Sequence, residues 1–164
     1  MPISIYIFLL MQLCLVGYID IKVKKIHNYW ALINLFVYLI LLFVFPEYYI
    51  FGLKSFVFPL AFLFVGYLLF LLKIMGAGDS KYLFSFYFLI PTEVQEEAFK
   101  CLAYTTVFVG LFLLTFTVVS NFTKVLNAVK YMQVNTIKEI FGSKFSYAPV
   151  IFVSWCWFGY VQYV

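Results

Sequence analysis

The chain contains two aspartates, Asp20 and Asp79, and each sits at the end of a long apolar run. An ionisable side chain at the edge of a bilayer-length apolar segment is costly to keep there, which makes it a functional candidate by default. Asp20 lies in Gly17-Tyr18-Ile19-Asp20-Ile21-Lys22-Val23-Lys24-Lys25-Ile26-His27-Asn28, and Asp79 in Met75-Gly76-Ala77-Gly78-Asp79-Ser80-Lys81. Two carboxyl groups brought close together cannot both ionise easily, so such a pair shares one proton near neutral pH. The ionised member can deprotonate a water, and the protonated member can donate to the oxyanion that forms when that water attacks a carbonyl. The plainer reading is that each aspartate caps a helix or pairs with a lysine, since Lys22, Lys24 and Lys25 follow Asp20 directly.

Gly76 and Gly78 interrupt the helical pattern just before Asp79. Glycines there allow a tight turn and a close approach to a neighbouring segment. Asp79 is then expected at the N-cap of a short helix, accepting backbone N–H bonds. Lys81 is expected to snorkel to lipid phosphate or to favour the ionised form of Asp79. His27 reads as an interfacial residue. Glu93, Glu96 and Glu97 read as a solvated loop remote from the chemistry. Cys14, Cys101 and Cys156 each lie within an apolar run without a CxxC pair, and read as small apolar fillers. No metal or cofactor is implied.

These residues must be positioned by a membrane-embedded scaffold. The apolar fraction is 66% and the charged fraction 11%, well outside the balance of water-soluble domains. Aromatic residues, at 24%, suit lipid-facing surfaces and interfacial belts. A net charge of +4 does not call for nucleic acid, because topology accounts for the lysines. The first run has no basic leader region and no small-residue cleavage site, so it reads as a retained helix. Apolar stretches over 3–19, 29–45, 55–72, 98–119 and 147–163 are each roughly long enough to cross a hydrocarbon core of about 30 Å. A sixth, over 82–90, reaches only about 18 Å even when extended back to Asp79, and begins below the surface or thins the bilayer.

Charge orients this scaffold. All basic residues are lysines; with six crossings and an external N-terminus, only Lys54 and Lys100 fall outside. Most acids divide the opposite way, with Glu47, Glu93, Glu96 and Glu97 outside. The positive-inside rule therefore favours six transmembrane helices with both termini outside, and places Asp20 and Asp79 together near the inner face. Between 120 and 146, Phe122, Val125, Leu126, Val129 and Met132 recur at helical spacing. This predicts a cytoplasmic amphipathic helix, serving as a connector or as a substrate-docking element. The expected fold is a single all-α membrane domain over 1–164, a six-transmembrane-helix bundle with a short fourth helix and that amphipathic segment.

An aspartate closing the first helix, a basic turn, an Ile-x-Asn step ending at Asn28, and a GxGD sequence followed by lysine together resemble the type IV prepilin peptidases. The small size, and the Tyr147-Ala148-Pro149 opening of the last helix, are similar to the single-domain branch serving tight-adherence (Flp-type) pili. The organisation is alike over most of the chain; the specific motifs cover about two dozen residues. The resemblance implies an aspartic endopeptidase of the inner membrane with Asp20 and Asp79 as catalytic residues, supported by Gly76, Gly78, Lys81 and Asn28. Its substrate would be a prepilin whose short basic leader is cut just before the hydrophobic N-terminal helix. His27 stands where the family has proline, and the basic turn is lysine-only. The cysteine-rich insert of larger, methylating members is missing, so methyl transfer is not implied. Presenilin-like proteases share GxGD, but Ile19 separates Tyr18 from Asp20 and Val150 follows Pro149, which sets that relation aside. From the residues alone, a small proton-coupled transporter and a structural membrane subunit stay open as alternatives.

Overall fold

The computed structural model describes residues 1–71, 75–122, 126 and 147–164. Among the described residues the regular structure is entirely helical: α1 (Ile3–Val23), α2 (Asn28–Val44), α3 (Leu53–Leu71), α4 (Ala77–Phe88), α5 (Gln95–Ser120) and α6 (Ala148–Tyr163). The amphipathic segment expected between 120 and 146 lies almost wholly outside the described residues.

Length and composition make α1, α3 and α5 able to cross a membrane, and α2 is a shorter apolar helix. The surface agrees with an apolar solvent. Phe43, Leu53, Phe108 and Val119 are more than two-thirds exposed, and they belong to a long series of outward-facing Leu, Ile, Val and Phe side chains. A water-soluble monomer rarely shows a contiguous apolar surface of this extent.

α4 buries a larger share of its residues than any other described helix. It packs on α3 and on α2, while α6 packs on α1 and α5. Its eight buried residues run from Asp79 to Phe88. Two glycines make this insertion possible. A Cβ at Gly66 of α3 would lie 3.2 Å from the Ser80 Cα, so the missing side chain lets α4 approach the α3 backbone. A Cβ at Gly78 would run into the backbone carbonyl of Ile26, in the turn joining α1 to α2. Small residues at such contacts are what permit close helix approach in a bilayer. The α1–α6 seam is closed by Tyr6 stacked on Trp155, with ring centroids 5.6 Å apart. Phe86 of α4 meets the same Trp155 edge-on at 5.3 Å, joining α4 to that seam.

Several boundaries differ from the sequence expectation. α1 continues four residues past Ile19, so Asp20 lies within its last turn and does not close it. The helix ends at Lys24, whose φ of 51° is left-handed and whose N–H returns to the Asp20 carbonyl at 2.7 Å. Apolarity falls before the hydrogen-bond ladder does, because the polar end of a membrane helix continues to propagate into the interface. α4 begins at Ala77 and stops at Phe88, so the short fourth helix starts before Asp79. Glu96 and Glu97 belong to the first turn of α5, where carboxylates offset the positive end of the helix dipole. They do not form a loop, although both are exposed. Of the cysteines expected as fillers, only Cys101 is buried; Cys14 and Cys156 are exposed on outward faces.

Candidate active site

Asp79 is positioned by the GxGD turn. Gly76 is the N-cap of α4, in extended backbone conformation, and Asp79 is the third helical residue. Its Oδ2 accepts the Gly76 N–H at 3.0 Å. The expectation that Asp79 itself occupies the N-cap is therefore corrected: it reaches back from inside the first turn. The physical reason is the glycine pair, which lets the cap fall at Gly76, three residues before the position expected for it. Gly78 then lies against the Ile26 carbonyl, so the turn following Asp20 is held directly over the start of the helix bearing Asp79.

Asp20 is positioned by α1 and held by α6. It ends a buried stripe of Ile5, Leu9, Leu13, Val16 and Asp20, spaced at three and four residues along α1. Its Oδ2 accepts the Ala148 N–H, the first of α6, at 3.2 Å. A carboxylate at that position satisfies a backbone donor that α6 cannot satisfy internally. Pro149 follows in the first turn, where its missing N–H costs nothing.

The two acids are close enough to interact through their charges. Both are buried, Asp20 at 2% exposure and Asp79 at 8%. The negative charge of Asp20 acts on the Asp79 carboxylate, so the two lie within electrostatic reach across the junction of α1, α4 and α6. Sequence reasoning used Tyr147 only as part of a family likeness, yet it belongs to this cluster. Asp79 also acts electrostatically on its phenol. The phenol oxygen lies 2.8 Å from the Thr106 Oγ1. Thr106 directs its own hydroxyl proton to the Leu102 carbonyl at 2.7 Å, so Tyr147 is the donor between them. The dipeptide Tyr147-Ala148 thus holds Asp20 through its backbone and lies within electrostatic reach of Asp79 through its side chain. The available signal was position: a tyrosine that opens the last apolar run and caps its helix.

The remaining expected residues lie outside this cluster. Asn28 is exposed at the first position of α2, and Lys81 is exposed on α4. His27 is the exposed N-cap of α2 and stacks on Tyr29 with ring centroids 5.5 Å apart. No group of three His, Cys, Asp or Glu side chains among the described residues is arranged to hold a metal ion.

A second polar cluster was not anticipated. Gln12, Asn34 and Ser85 are buried among apolar side chains and hydrogen-bonded to one another. Each is a lone polar residue inside an apolar run, and that was the signal available.

Compared with protein-family models, curated proteins and solved structures, the chain matches none.

Proposed function

We propose that this chain is a membrane-embedded aspartic endopeptidase that removes the leader of type IV (Flp-like) prepilins at the cytoplasmic face. The observation that carries this reading is the burial of the chain's two aspartates within electrostatic reach of each other, with one held by a GxGD turn. Two ionised carboxylates in that setting repel, so one proton is shared between them. The ionised member takes a proton from a water whose oxygen attacks the scissile carbonyl carbon. The protonated member donates to the oxyanion. Collapse of the tetrahedral intermediate breaks the C–N bond; the proton first taken from water passes to the leaving amine, and as the carbonyl re-forms the proton given to the oxyanion returns to its carboxylate, so the pair again shares one proton.

The proposed topology is six crossings with both termini outside, which follows from the lysine distribution. A prepilin with a basic leader and a hydrophobic helix would lie in the bilayer with its cleavage point at the inner surface, at the depth of the two acids. The short α4 supports this arrangement: twelve residues span about 18 Å, so its N-terminus starts below the level that full-length helices reach. Resemblance in the GxGD and Ile-x-Asn motifs supports the substrate class.

The test is co-expression with a Flp-type prepilin, comparing the parent with Asp20→Asn and Asp79→Asn. Leader removal is expected from the parent and from neither variant, with all three proteins accumulating in the membrane. Processing by either variant refutes the assignment.

A further inference from the structure

Gln12 of α1, Asn34 of α2 and Ser85 of α4 form a directional chain of buried hydrogen bonds. The Gln12 Nε2 donates to the Asn34 Oδ1. The Asn34 Nδ2 donates to the Ser85 Oγ at 3.1 Å, and the Ser85 hydroxyl donates to the Tyr82 carbonyl at 2.9 Å. Asn34 and Ser85 are wholly buried and Gln12 is 5% exposed. The other carboxamide atom of Gln12, Oε1, is buried with no hydrogen-bond partner among the described residues. Asn34 is therefore the only described group hydrogen-bonded to the Gln12 side chain.

The placement of this chain relative to the acids gives it a role. Gln12 lies on the same buried face of α1 as Asp20, eight residues or about 12 Å deeper along the helix. Ser85 lies on the same helix as Asp79, six residues or about 9 Å deeper. α1 packs chiefly on α6, whereas α4 packs on α2 and α3, so the two acid-bearing helices belong to different halves of the bundle. Within a bilayer, apolar side chains slide against one another with little preference, because lipid solvates them equally well. Close contacts at small residues and interhelical hydrogen bonds are what select one register. Asn34 is bonded to both acid-bearing helices.

We propose that the Gln12–Asn34–Ser85 chain sets the register of α1 against α4, with Asn34 the positioning residue that holds Asp20 opposite Asp79. This rests on reading the two aspartates as one site, and it deepens that reading by naming what aligns them.

The test separates alignment from activity. In a full-length chain with Cys14, Cys101 and Cys156 replaced by alanine, Asp20→Cys and Asp79→Cys are cross-linked with a short bis-thiosulfonate reagent. Asn34→Leu is expected to slow this cross-linking about tenfold. Reversing the carboxamides, with Gln12→Asn and Asn34→Gln together, is expected to restore most of the rate. Ser85→Ala removes one link with almost no change in volume. It is expected to slow cross-linking two- to threefold, and it serves as the test if Asn34→Leu does not accumulate. In the acid-bearing chain, Asn34→Leu is expected to lower kcat for leader removal and leave KM unchanged. Unaltered cross-linking in Ser85→Ala and in any accumulating Asn34→Leu chain overturns the proposal, as does absence of cross-linking in the parent. A parent that cross-links with the expected dependence on Asn34, yet cleaves no prepilin, refutes the protease reading and leaves the register assignment standing.

Discussion

The carboxylate of Asp20 accepts the backbone N–H of Ala148 across 128 positions of sequence, at 3.2 Å. One end of α1 is thereby tied to the first residue of α6, within electrostatic reach of Asp79. The interaction gives Asp20 a structural duty beside the chemical one proposed for it, and the two can be separated.

Asn at position 20 keeps an oxygen acceptor for the Ala148 N–H, whereas Ala removes it. Asp20→Asn is expected to be nearly neutral in stability. Asp20→Ala is expected to cost about 1 kcal/mol, the usual effect of losing a side-chain acceptor at a helix start. Both are expected to lose leader cleavage by about a hundredfold or more, the scale of general acid–base catalysis. Unfolding in detergent and a cleavage assay measure the two effects independently. Equal residual activity in Asp20→Asn and the parent contradicts the chemical role.

Gly78 lies against the Ile26 carbonyl, a backbone atom that cannot rotate aside. Gly78→Ala is expected to destabilise the protein by about 1–3 kcal/mol, as overpacking does, and to separate the two acids. Gly110 on α5 has open space where its Cβ would be, so Gly110→Ala is the matched control. It is expected to be neutral, or stabilising by up to about 1 kcal/mol from helix propensity. Thermal midpoints of the two variants in the same detergent decide the matter: equal shifts would mean that the contact is not limiting.

Tyr147 donates to Thr106 while Asp79 acts on its phenol. Tyr147→Phe keeps the ring packing and removes the hydroxyl, for an expected loss of about 0.5–1.5 kcal/mol. Thr106→Val deletes the acceptor on α5 and keeps the phenol. The first variant is expected to impair cleavage more than the second. The reverse order would show that the α5 link matters more than the phenol.

Lysine placement predicts that Lys25 and Lys81 face the cytoplasm and that Lys54 and Lys100 face outward. Single cysteines at these positions, in a chain with the native cysteines removed, are expected to react with an impermeant maleimide in two sets. In intact cells, Lys54→Cys and Lys100→Cys label; Lys25→Cys and Lys81→Cys label only after the membrane is opened. Labelling of position 25 and position 81 from opposite sides would eliminate the six-crossing arrangement.

The amino-acid sequence by itself determined the apolar solvent, the helical class and the approximate limits of the six described helices. Each of these depends on local composition or on period along one segment, which needs no knowledge of neighbours. Composition also singled out Asp20 and Asp79, because a charge at the end of an apolar run is conspicuous wherever the run packs. Only the tertiary structure decided that α4 is the most buried helix, that Asp79 reaches back from the third position of that helix, and that the Ala148 N–H is held by Asp20. Only it joined Gln12, Asn34 and Ser85, three unremarkable polar residues in three separate apolar runs. The physical reason is that apolar helices in lipid have many nearly equivalent faces. Which faces meet is settled by a few small residues and buried hydrogen bonds between distant segments, and their partners cannot be read one segment at a time.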